Sequence, residues 1–392
     1  MTPLTPVAAA LVLCALALPV SIAGTNIALA LLSAALLFRA RPDGRRIAAA
    51  WRSEPVLAAL FLYAVASLLS AVCSSEPSAS LRDAVKDLHR LWSLGLFVAA
   101  LALEPETPLR PALGLSLGAV ALYGVVQTVF GGRPDAMMLR AHAFVHPVVF
   151  GNQMALAALG GACVLLRPTE RAARGTAGVF TAVVLAALVL SQTRMALIAA
   201  LAGFSLVALL EPRARRWALP ALVLAAAVAL AWEFLPNGAR TLSSLFAPYD
   251  SRNPQQARWV LWDTAIRMFR DHPLTGVGPG GYNRAFTSYY SGSLDGQRIW
   301  GSAHSLYLHQ LAERGLAGAL ALLVLCLTLS ARALRAARSD TDTRALWSAA
   351  AVVAFLAMSL TETAFQNEMF ATLFLLIWAW GTMSLRARRE NL

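Results

Sequence analysis

Charge is scarce in this chain. Lys, Arg, Asp and Glu make up 14% of its 392 residues, where soluble domains carry about a quarter. That shortage excludes an ordinary soluble domain, because too little charge is present to cover a water-facing surface. Cysteines are few and far apart. Cys14, Cys73, Cys163 and Cys326 lie in or beside apolar runs, form no metal-ligand or disulfide spacing, and read as small buried apolar side chains. Alternation of apolar and polar residues is missing, which excludes a transmembrane β-barrel. No basic region precedes the first apolar run, MTPLTPVAAALVLCALALPV. That run therefore reads as a retained first span rather than a cleaved leader.

What is present is apolar length. Hydrophobic residues make up 58% of the chain, and mean hydropathy is +0.60. Apolar runs recur at about 20 residues, enough to cross about 30 Å of hydrocarbon. The pattern predicts an all-α polytopic membrane protein of about twelve spans. They fall near 4–20, 23–38, 55–73, 89–103, 111–130, 147–166, 176–190, 194–210, 217–235, 304–330, 345–361 and 366–385. Three regions follow: the first nine spans over 1–235, one large outer loop over 236–303, and the last three spans over 304–392.

The formal net charge is +12, which in a soluble protein would suggest nucleic acid. Here the arginines sort by side instead. Alternate connections hold Arg39, Arg41, Arg45, Arg46 and Arg52, then Arg110, then Arg167, Arg171 and Arg174, then Arg213, Arg215 and Arg216. Arg332, Arg335, Arg338 and Arg344 follow on that side, and Arg386, Arg388 and Arg389 end it. The other short connections hold only Arg82, Lys86, Arg90, Arg133, Arg140 and Arg194. The bias predicts both termini in the cytoplasm. The 236–303 loop then lies outside, and its aromatic content argues for order. Within it, QQARWVLWDTAIRMFRDHP reads as an amphipathic helix with Trp259, Trp262, Ile266 and Phe269 on one side. Pro273 stops it.

Four constellations share the outer face. In SLRDAVKDLHRLW, Arg82, Lys86 and Arg90 are spaced to lie on one helix face. They suit either lipid phosphates at the interface or a bound diphosphate. In SQTRMAL, Arg194 sits in a short turn between two apolar spans, where a cation needs a partner or a role. Arg258 shares its helix with the tryptophans. The glycines of DHPLTGVGPGGYN either form tight turns or offer N–H groups to an anion; they match no Walker or Rossmann pattern. Last comes SAHSLYLHQLAERGLAG, residues 302–318. Read as one helix, it places Tyr307, Leu311, Gly315 and Gly318 within about 60° of His304. His309 and Glu313 fall on the far side, as a solvated or structural pair. Gly315 and Gly318 would admit a neighbouring helix on the His304 side. The two histidines diverge, so no shared metal is expected.

The stretch from His304 to Gly318 fits His-[Asn/Ser/Gln]-nine residues-Gly-two residues-[Gly/Thr/Tyr]. It resembles the O-antigen ligase family, and so do the SQTRMAL turn, the RWVLW…DHPLTGVGPGGYN segment and the single large loop before the histidine. The resemblance implies a GT-C-like membrane fold and a metal-independent, inverting glycosyl transfer with no cofactor. The donor would be an undecaprenyl-diphosphate-linked glycan. The acceptor would be a sugar hydroxyl of the lipid A–core, on the periplasmic face of the bacterial inner membrane. It further implies His304 as catalytic general base and Arg194 and Arg258 as diphosphate ligands, with Arg82, Lys86 and Arg90 where basic donor-binding residues are expected. The chemistry is coherent. Guanidinium groups neutralise a leaving diphosphate, and a neutral imidazole takes a hydroxyl proton near neutral pH. Alternatives are an O-antigen polymerase, a protein O-oligosaccharyltransferase, and, from another class, a lipid or solute transporter. A transporter would show acidic or broken-helix residues at the midplane and an internal repeat, neither of which stands out.

Overall fold

The computed structural model describes residues 3–131, 140–167, 171–234, 254–294, 296–339 and 342–389. Arg133 and positions 236–253 of the expected outer loop lie outside these. Among the described residues the chain is helical throughout, with no strand. In chain order the helices are α1 (Pro6–Ala17), α2 (Ile22–Arg52), α3 (Pro55–Val72), α4 (Pro77–Leu103) and α5 (Leu109–Phe130). Then come α6 (Pro147–Leu166), α7 (Arg171–Leu190), α8 (Arg194–Leu210), α9 (Arg215–Phe234), α10 (Pro254–Asp271) and α11 (Gly281–Tyr289). The chain closes with α12 (Leu306–Ser339), α13 (Thr343–Met358) and α14 (Glu368–Arg389).

Each expected span falls on a helix. Five helices, α2, α3, α5, α6 and α12, are long and apolar enough to cross a membrane. The architecture is that of a polytopic membrane protein. Phe38, Leu115, Phe130, Leu209 and Leu219 stand out from the bundle, as lipid-facing side chains do. Helix starts follow local chemistry. Proline opens α1, α3, α4 and α6, where its missing N–H costs nothing. Thr5 and Ser21 cap α1 and α2 by accepting from Ala8 N and Gly24 N. Two helices outrun their expected spans. α2 continues through Pro42 to Arg52, with Arg39 paired to Asp43 one turn on. α4 begins at Pro77, so the Arg82–Lys86–Arg90 ladder forms its first half.

Residues 254–303 form a small cap with a core of its own, separate from that of the bundle. α10 is the expected amphipathic helix, but it buries the opposite face. Ala257, Leu261, Thr264, Ala265 and Met268 are buried, while Trp259 and Ile266 are exposed. Small residues let α10 lie close to α12, and of the expected stripe Trp259 and Ile266 are turned outward while Trp262 and Phe269 stay half-buried.

α12 is broken at Gly315, whose φ of 58° and ψ of −157° belong to no helix. The glycine loop before α11 supplies what the break removes. Leu316 N and Ala317 N donate to Pro273 O and Leu274 O. Val277 N and Gly278 N donate to Ala312 O and Glu313 O at 2.9 and 2.8 Å. These exchanges satisfy backbone groups that the break would otherwise orphan. They also engage the loop N–H groups with the protein rather than an anion. The expected helix packing at Gly315 is replaced by this loop. A Cβ on Gly315 would lie 2.5 Å from Leu274 C and O, and one on Gly276 would lie 2.4 Å from Glu313 C. We expect Gly315→Ala to lose about 3 kcal/mol or more, from a glycine-only backbone region plus a backbone clash. Gly114→Ala, with open space around its Cβ, should leave the detergent-phase thermal midpoint almost unmoved. Equal midpoints for the two variants would refute the clasp.

Candidate active site

His304 does not sit on α12, which starts two residues later at Leu306. It lies in the turn before it with φ of 46°, so the helical wheel does not govern where its ring points. The imidazole Nδ1 is 3.4 Å from Glu362 Oε2, and the ring packs edge-on to Trp300. The other carboxylate oxygen, Oε1, accepts from Arg258 Nη2 at 3.2 Å. Glu362 thus joins the two residues that the sequence had placed in separate constellations. It comes from the connection between α13 and α14, while Arg258 comes from the cap. Leu306 N donates to Ser359 O, which fixes the start of α12 against that connection.

Two further segments close on the same place. Arg140 Nε donates to Ser191 O at 2.8 Å and its Nη2 to Thr193 Oγ1 at 3.1 Å. Arg194 follows directly as the first residue of α8, half-buried. The charge of Glu362 reaches Arg140. His146 caps α6 and accepts from Val148 N. Burial and the positive charge of Arg140 hold its imidazole below the ordinary histidine value, and Glu362 and His304 act on it too. Ala143, Gln192 and His304 are the non-glycine residues with positive φ among those described. Their three loops are the ones that meet here. Left-handed backbone at such residues persists only where surroundings enforce it, and it concentrates at functional sites.

The α4 cations divide. Arg82 and Lys86 are exposed, and Lys86 pairs with Asp83 at 2.8 Å. Arg90 is buried, bonded to Asp87 and donating to Phe365 O. Lys86 and Arg90 line a cavity of about 360 Å³ with His309 and Arg314, and His304 is not among its lining residues. Beneath it runs a buried ion network. Arg314 donates to Ser67 Oγ, Glu313 Oε2 and Asp87 Oδ2 at 3.0, 2.9 and 2.8 Å. His309 Nε2 stands 3.4 Å from Glu313 Oε2. The His309–Glu313 pair is therefore buried rather than solvated, covered by α11 through Tyr282. The network welds α3, α4 and α12 together just below the site.

Sequence reasoning missed Glu362, Arg140 and His146 as parts of one site. The available signal for Glu362 was a carboxylate in SLTETAFQNE, a polar break between two apolar runs on the expected outer face. No curated protein matches the chain. The segment from α7 into the second half of α12 carries Arg194, Arg258 and His304. Residues 177–323 match the model of the O-antigen ligase family.

Proposed function

We propose that this protein transfers an O-antigen polysaccharide from undecaprenyl diphosphate to a sugar hydroxyl of the lipid A–core. The bundle lies in the inner membrane with both termini cytoplasmic, and the His304 site faces the periplasm. The observation that carries the reading is the junction of His304 and Arg258 on Glu362, in a chain whose residues 177–323 match the O-antigen ligase family.

Glu362 takes the Nδ1 proton of neutral His304 as a hydrogen bond, which leaves Nε2 as the basic nitrogen. Nε2 removes the acceptor hydroxyl proton while the oxygen attacks the anomeric carbon opposite the diphosphate. The anomeric C–O bond breaks, the configuration inverts, and undecaprenyl diphosphate leaves with the electron pair. Arg258 and Arg194 hold the leaving diphosphate, where bidentate guanidinium geometry suits its oxygens. Arg82 and Lys86 add positive charge at the outer end of α4. Arg90 supports them from within, through Asp87 and the 365 segment.

Deleting the gene and resolving lipopolysaccharide by electrophoresis tests the assignment. Core without O-antigen, with long polymer retained on its lipid carrier, is the expected result. Core bearing a single repeat would make the protein a polymerase. Unchanged lipopolysaccharide with unglycosylated proteins would make it a protein glycosyltransferase.

A further inference from the structure

The end of the bundle opposite His304 holds a recess of about 970 Å³. α6 measures the separation. His146 at one end belongs to the site, and Arg167 at the other lines the recess, about 30 Å away by helical rise. The recess exists because two neighbouring helices part. α7 packs chiefly on α6 and α5, whereas α9 packs chiefly on α8. The wedge between them is lined by Ala162, Leu165 and Leu166 of α6 and Phe204 of α8.

Its charge is one-sided. Among the described residues, Arg167, Arg174, Arg213 and Arg216 line it against one carboxylate, Glu211. Glu211 is engaged by Arg167 at 2.8 Å and approached by Arg213 at 3.8 Å. One guanidinium nitrogen of Arg167, Nη1, is buried without a hydrogen-bond partner among the described residues. Below the arginines the floor turns apolar with Leu165 and Phe204. Trp217 stands exposed at the rim, beside the Arg216 guanidinium. Tryptophan at that level marks a membrane–water boundary.

We propose that this recess binds an anionic phospholipid, with its phosphodiester among the four arginines and its acyl chains in the wedge between α7 and α9. A phosphodiester meets Arg167 Nη1 and the unbalanced positive charge, as basic pockets between spans do for acidic headgroups. A soluble phosphate would satisfy the arginines but leave Leu165 and Phe204 against water. A zwitterionic lipid would bring a second cation into a site already rich in them. The proposal does not rest on the transfer reaction at the other end of the bundle.

Full-length protein and its Trp217→Phe variant are reconstituted in phosphatidylcholine bilayers. Each bilayer carries a minor fraction of either brominated phosphatidylglycerol or brominated phosphatidylcholine. The fluorescence difference between the two proteins isolates Trp217. Quenching of that component is expected to be several-fold stronger with the brominated anionic lipid. In an Arg213→Gln/Arg216→Gln background, apparent affinity is expected to fall about fivefold for each arginine removed. Equal quenching by the two lipids in the wild-type protein overturns the proposal, whether or not the double variant folds. Reversal of the quenching by soluble glycerol phosphate also overturns it, by making the ligand a free phosphate rather than a lipid.

Discussion

Replacing His304 with alanine is expected to lower polymer transfer to the core by about 10²–10⁴-fold, the usual contribution of a positioned general base. The protein should still insert, and lipid-linked polymer should still copurify with it. The reason lies in how little holds the ring. Among the described residues, His304 has the Glu362 contact, an edge-on Trp300 and a 3.4 Å bond from its own backbone N–H to Ser302 Oγ. It belongs to neither hydrophobic core. Removing it takes away a proton acceptor and little packing. Arg258→Ala should instead weaken retention of the lipid-linked donor. Both results are read from one gel of lipopolysaccharide together with the polymer content of purified protein. Near-normal transfer by the His304 variant would refute its role as base. Strict dependence on a divalent cation would refute a diphosphate site built on arginines.

Arg314→Met should be the most damaging substitution for folding. Arg314 is buried and donates to three partners on two other elements and its own neighbour. Without it, Asp87 keeps only Ser67 and Arg90, and Glu313 keeps His309 and Tyr282 N. Removing one member of a buried ion pair costs about 3–5 kcal/mol, because an uncompensated charge stays inside. The loss would appear as a large drop in thermal midpoint and in membrane-inserted yield. Adding Glu313→Gln should recover part of it, since the carboxylate that loses its guanidinium is then neutral, whereas Asp87 still has Arg90. A double variant no better than the single one would show that the network matters through shape rather than charge.

The helices were legible because apolar length is a one-dimensional property. The spans expected at 147–166 and 194–210 coincide with α6 and α8 residue for residue. Burial was not legible in the same way. His309 and Glu313 are spaced i, i+4, as exposed pairs are, and only the arrival of α11 over them turns them inward. On α10 the tryptophans looked like the face to bury, yet Ala257, Ala265 and Leu261 are the buried residues, Trp259 faces out and Trp262 is only half-buried. Large side chains mark a face, but neighbours decide whether it is covered. The Arg82–Lys86–Arg90 ladder shows the same limit. One helix face passes from open surface at Lys86 to interior at Arg90 within a single turn. Glu362 was invisible for a different reason. It lies 58 residues from His304 in sequence, and a single carboxylate in a short connection has no periodicity to announce it.

The small cap has a wider consequence. Arg258 is anchored in one packing unit and Glu362 in another, so the bond between them is a joint rather than a strut. A compound wedged beneath α10 would part the guanidinium from the carboxylate and leave His304 intact but disarmed. On the proposed reading, the seam around His304 is where parting the cap from the bundle would act.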